Sequence, residues 1–151
     1  SLPLRRLPID EAAALVARCL AETDAPALVF SAPDLETYVA ELLAALDPAL
    51  RGRVEVWRGD LREFIVAASR ARVLYTMDSG PAHLAAATGS PTVVLFGPNR
   101  AAFAAPRGPN VICVESDPPL PCQPCDQHRC VHPSLPQACL RGRGPEAVAA
   151  G

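Results

Sequence analysis

Asp78, Ser79, Gly80 and His83 lie within one run, Arg72-Val73-Leu74-Tyr75-Thr76-Met77-Asp78-Ser79-Gly80-Pro81-Ala82-His83-Leu84-Ala85-Ala86-Ala87-Thr88-Gly89. Their order suits a ligand that carries both a phosphate and a sugar. The run reads as a strand over 73–76, a turn at Asp78-Ser79-Gly80, and a helix with Pro81 in its first turn, where a missing N–H costs nothing. Gly89 closes that helix. A helix start presents unpaired N–H groups and a partial positive charge to an anion. Ser79 adds a hydroxyl, Gly80 lets a ligand approach the backbone, and Asp78 accepts from sugar hydroxyls. His83 either donates to a phosphate or fills a buried polar slot on a backbone carbonyl. The competing explanation is an ordinary strand-to-helix turn in which Asp78 and Ser79 act as caps.

A second constellation lies in the proline-rich stretch 117–143. Cys122, Cys125, Cys130 and Cys139 follow one another with His128 and His132 between them. Four thiolates on one compact loop suit tetrahedral zinc. The loop carries little apolar material of its own, so a structural staple is physically reasonable. Two disulfides are the rival, disfavoured in a cytosolic setting, and free thiols are the plain alternative. Cys19 and Cys113 sit in apolar runs and read as core residues.

The remaining elements must position these groups. Helical periodicity runs over 10–23 with Asp10 as N-cap, after an extended Arg-bearing start at 1–8. A strand at 27–30 leads through Ser31-Ala32-Pro33-Asp34 to a helix over 35–46. Strands at 54–57, 92–96 and 111–114 and a helix over 61–71 complete the pattern. This alternation predicts an α/β fold with a doubly wound parallel sheet, in which ligands sit beyond the carboxyl ends of the strands. The chain has 151 residues, half of them hydrophobic, and a formal net charge of -2. That size supports one domain with a sizeable core, and the charge gives no electrostatic case for nucleic acid or a membrane surface. Every basic residue is Arg, which reflects base composition more than function. No apolar run approaches a membrane span, and no signal peptide is visible. From the start at Ser1, without Met, a fragment or an excised domain is expected.

The segment DSGPAHLAAATGSPTVVLFGPN, residues 78–99, resembles the ADP-heptose:lipopolysaccharide heptosyltransferases, glycosyltransferase family 9, whose signature is a D-[ST]-G-x-x-H-L-x-A-A motif followed by a strand and F-G-P. The resemblance implies a Rossmann-like half of a GT-B enzyme with a Cys-rich C-terminal loop. Residues 1–116 would be the nucleotide-sugar-binding domain, lacking its first strand. Residues 117–151 would be the Cys-rich loop and a truncated C-terminal segment packed on it. It further implies that Asp78 binds donor sugar hydroxyls and that Arg5, at a position usually Lys, contacts the phosphates, with Arg6 as competitor. Glu36, beside Asp34, falls where the family places a carboxylate on the ribose, although a surface helix start explains both acids equally well. Gly97, Pro98 and Asn99 would border the phosphates, with Asn99 standing where Thr is frequent. Met77 reads as a core or edge residue, with adenine contact as the rarer alternative.

The implied activity is inverting transfer of heptose from ADP-heptose to a lipopolysaccharide core at the cytoplasmic face of the inner membrane. The catalytic base would come from an absent N-terminal acceptor domain, so this piece alone would be inactive. Transfer requires no metal, so zinc at the cysteines would be structural. The other readings are a non-catalytic nucleotide- or phosphate-binding module and a zinc-stapled interaction domain.

Overall fold

A computed structural model describes residues 3–142. It contains α1 (Ile9–Ala21), β1 (Ala27–Phe30), α2 (Glu36–Ala45), α3 (Pro48–Arg51), β2 (Val54–Trp57), α4 (Leu61–Arg70), β3 (Leu74–Met77), α5 (Gly80–Ala87), β4 (Thr92–Leu95), α6 (Ala101–Ala104) and β5 (Val111–Val114). Strands and helices alternate as the periodicity predicts, and every strand pair is parallel.

Side-chain alternation along the strands builds two helical layers. Tyr75 and Met77 of β3, Val93 and Leu95 of β4 and Val114 of β5 gather around Leu15 and Cys19 of α1. On the opposite side, Val94 and Phe96 pack with Ala82 of α5 and with Ala101 and Ala104 of α6. The alanines of α5 explain its close approach: Ala82, Ala85 and Ala86 are almost fully buried, and no longer side chain holds the helix away. Gly89 ends it at φ +77°, its N–H donating to Ala86 O at 3.0 Å, a left-handed position that glycine adopts without cost.

The hydrogen-bonded strand order is β1-β2 in one group and β3-β4-β5 in another. A shared core joins the groups: Phe30 of β1 and Trp57 of β2 pack with Phe64 and Ala68 of α4 and with Leu74 of β3. Phe30 meets Trp57 and Phe64 edge-on, with ring centroids 5.2 and 4.8 Å apart. Arg53 adds a polar tie, donating to the carbonyls of Leu20 and Ala25 at 2.9 and 3.1 Å and to that of Thr23.

Several expectations shift. Asp10 is not a cap: α1 starts one residue earlier after Pro8, with Ala12 N donating to Pro8 O. The Asp10 carboxylate instead takes Arg141 Nη1 at 2.6 Å, which holds its pKa below the ordinary value. Pro3–Arg5 form a 3-10 turn where an extended start was expected. The short helices α3 and α6 carry too few residues for periodicity to reveal.

From 117 to 142 the only regular element is a 3-10 turn at Ala138–Leu140, and Leu140 is the one buried side chain. Leu140 covers Gly97, where an added Cβ would meet its side chain at 2.4 Å. Of the predicted C-terminal segment, residues 143–151 lie outside the described residues, as do residues 1 and 2.

Candidate functional site

The corner where β3 turns into α5 collects most of the expected groups. Asp78 is 8% exposed. Its Oδ2 accepts from Asn99 Nδ2 at 3.1 Å and faces Arg5 Nη1 at 3.5 Å, while Oδ1 has no hydrogen-bonding partner among the described residues. A buried carboxylate is costly unless charge and hydrogen bonds compensate it. Here one oxygen is compensated and the other remains available to a ligand hydroxyl.

Ser79 precedes α5 but does not cap it. Its hydroxyl donates to Met77 O at 3.0 Å, so the explanation of Asp78 and Ser79 as caps fails for the side chains, and Ser79 offers a ligand its backbone rather than its O–H. Gly80 is exposed, and a Cβ built there meets nothing within 4 Å. The space over the start of α5 is open. His83 is exposed on the same helix; the alternative of a buried polar slot is overturned.

Arg5 and Arg6 divide their work. Arg5 reaches Asp78, while Arg6 pairs with Asp34 at 3.1 Å. Met77 belongs to the core, not to an open edge. Glu36 opens α2, half-exposed, in a two-pronged pair with Arg58 at 2.8 and 2.9 Å. The Arg58 guanidinium holds the Glu36 carboxyl below its ordinary pKa.

Gly97 and Pro98 do not border open space. Both are buried, and their carbonyls are engaged from the Cys-rich segment: Gln123 Nε2 donates to Gly97 O, and Cys125 N to Pro98 O at 2.8 Å. Asn99 alone of the three turns toward Asp78. The loop is held from its far end by Glu115, which accepts from Arg100 at 2.7 and 3.1 Å and from Ala101 N at 2.8 Å.

Gln123, Glu115, Arg58 and Leu140 were invisible as site-supporting residues in the sequence. Gln123 stood between two cysteines and Arg58 directly after a strand, but neither position by itself names a partner distant in the chain.

Cys122, Cys125, Cys130 and Cys139 line one small cavity of about 20 Å³ together with Leu4, Pro98 and His132. All six cysteines are free thiols. Burial, with the neighbouring Cys122, Cys130 and Cys125, pushes the Cys139 thiol up to about 11. Among the described residues, no three His, Cys, Asp or Glu side chains are drawn together around an ion position.

The family profile of glycosyltransferase family 9 (heptosyltransferase) matches residues 7–135, which contain the Asp78 corner and three of the four clustered cysteines. The chain belongs to this family. This family 9 chain is 39% identical over 62 residues to lipopolysaccharide heptosyltransferase 1 of Pseudomonas aeruginosa, a match covering 41% of the chain and 17% of that protein. Its fold is similar to E. coli ADP-heptose LPS heptosyltransferase II (TM-score 0.77, 21% identity, 98% of this chain and 41% of that one). It is also similar to a family 9 glycosyltransferase of Veillonella parvula (TM-score 0.64, 25% identity, 76% and 32%). The architecture is therefore the Rossmann-like α/β type of GT-B glycosyltransferases, and the chain spans less than half the length of each of these relatives.

Proposed function

We propose that this chain is the nucleotide-sugar-binding half of an inverting heptosyltransferase, taking ADP-heptose as donor for a lipopolysaccharide core acceptor. The observation that carries the reading is the Asp78 corner: a buried carboxylate with one unpartnered oxygen, beside an uncapped helix start over which Gly80 leaves open space. The α5 amides and Arg5 receive the diphosphate. Asp78 Oδ1 accepts from a hydroxyl of the sugar, and Asn99 fixes the carboxylate by holding Oδ2.

In the transfer, an acceptor hydroxyl forms the new bond at the anomeric carbon, and the bond to the diphosphate breaks with its electron pair leaving on the phosphate oxygen. This chain stabilises that leaving charge. The base that takes the acceptor proton belongs to a partner acceptor domain, so the piece alone binds donor without turning it over. The break between β1 and β3 supports a further segment in the whole enzyme. A parallel strand preceding α1 and reached by a right-handed crossover would join the β1-β2 and β3-β4-β5 groups into one sheet. The reaction would take place on the cytoplasmic side of the inner membrane; no described helix is long and apolar enough to cross it.

The test is titration of ADP into the chain and its Gly80→Ala variant, by calorimetry or by NMR shift perturbation if binding is weak. The Cβ meets no protein atom and alanine favours helix, so the variant melts no lower than the parent. It binds ADP at least tenfold more weakly if phosphate rests on the α5 amides. A parent that does not bind ADP, or a variant that binds equally well, overturns the reading.

A further inference from the structure

Between residues 117 and 142 the chain adopts almost no regular structure and buries a single side chain, Leu140. So little burial does not offset the entropy of ordering such a segment, and long irregular loops of this kind are either functional or held by something else. The four cysteines of the segment ring one cavity whose volume, about 20 Å³, admits a single water-sized occupant.

We infer that Cys122, Cys125, Cys130 and Cys139 hold one zinc ion, and that this ion braces the donor corner; the second half of the inference rests on the proposed donor site. The donor set fits. Soft thiolates in a closed set of four are the ligands of structural zinc. Cys130 Sγ already accepts the Gln137 N–H at 3.1 Å, which ties it to the segment that leads to Cys139. His132 lines the same cavity, but its Nδ1 accepts from Leu135 N at 3.2 Å, and four thiolates complete the tetrahedron without it. No three of these side chains are drawn together around one point, so closing on the ion requires the thiols to turn inward.

The brace follows from what each half of the cluster grips. Gln123 and Cys125, at the first cysteine pair, hold the carbonyls of Gly97 and Pro98, and the next residue is Asn99. Gln137, between Cys130 and Cys139, donates to Arg6 O at 2.9 Å and Pro3 O at 3.4 Å, fixing the turn that carries Arg5. Asn99 and Arg5 converge on the same oxygen, Asp78 Oδ2. An ion joining the two cysteine pairs therefore locks the two supports of Asp78 to each other.

Elemental analysis of the unmodified chain after dialysis tests the metal directly, with one zinc per chain expected. Cobalt substitution should give the visible spectrum of tetrahedral thiolate ligation. Cys122→Ser and Cys139→Ser should lose the ion, and Cys19→Ser should keep it. A metal-free sample with reactive thiols, two disulfides by mass, or iron in place of zinc overturns the inference. Stripping the ion with a chelator should weaken ADP binding severalfold, and unchanged affinity overturns the bracing role. Asp78→Ala should retain its zinc, so a chain that holds zinc but never binds ADP removes the donor reading and leaves the metal site standing.

Discussion

Asp78 and Glu36 each follow the carboxyl end of a parallel strand, β3 and β1, and the family resemblance assigns each to a ligand hydroxyl. Their surroundings differ. Asp78 is buried, shares one oxygen between Asn99 and Arg5, and leaves the other open. Glu36 is half-exposed, with both oxygens taken by Arg58. A buried, half-satisfied carboxylate is a cost to folding that a ligand can relieve, whereas an exposed ion pair is screened and nearly neutral in energy. The contrast ranks the two residues: Asp78 should matter for the donor, and Glu36 only if a nucleotide displaces its arginine.

The largest expected effect is therefore at Asp78. Asp78→Ala should weaken ADP-heptose binding by tenfold or more and ADP binding by less, because in the proposed site the lost acceptor faces the sugar and the α5 amides remain. Stability should change by no more than about 1 kcal/mol, since removing a buried charge whose partner Arg5 can reach water is not heavily penalised. Paired titrations of both ligands with a melting curve check this. Equal losses for ADP and ADP-heptose would reassign Asp78 to holding the turn.

A smaller effect, on stability rather than binding, is expected at Glu115. Its carboxylate is held below the ordinary value of 4.5, chiefly by the hydrogen bond from Arg100, with burial opposing. A depressed folded pKa contributes stability that is complete above the unfolded value and lost as pH falls through the folded one. Glu115→Gln should thus melt a few degrees lower than the parent at neutral pH, with the gap closing as pH drops below 4.5. A constant gap across that range would show that the contribution is packing rather than charge.

Local chemistry decided how much of this was legible in the sequence. The strands at 27–30, 54–57 and 111–114 match the structure residue for residue, because each is a short apolar run bounded by turn residues. The β3–α5 corner was legible for the same reason: Asp78, Ser79 and Gly80 are neighbours in the chain, and a strand–turn–helix is a local object. What could not be read is what the long loops bring back. Arg58 on Glu36, Gln123 on Gly97 and Arg141 on Asp10 are 22, 26 and 131 residues apart, and no periodicity encodes such pairings. The burial of Gly97 and Pro98 was not legible on this account, since Leu140 and Gln123 arrive from the Cys-rich segment to cover that turn.

The smallest effect should come from Arg58→Ala, and its sign is informative. Both members of the pair are exposed, so the melting temperature should stay within error of the parent. The variant frees both Glu36 oxygens. If Glu36 accepts from the ribose, ADP should bind slightly tighter than to the parent, because the nucleotide no longer competes with a guanidinium, and Glu36→Gln should bind it more weakly. If Arg58 itself helps to neutralise the phosphates, Arg58→Ala should bind ADP more weakly, and the loss should shrink as salt screens the interaction. Unchanged affinity in both variants would mark the pair as a surface contact and leave the Asp78 corner as the whole of the donor site on this chain.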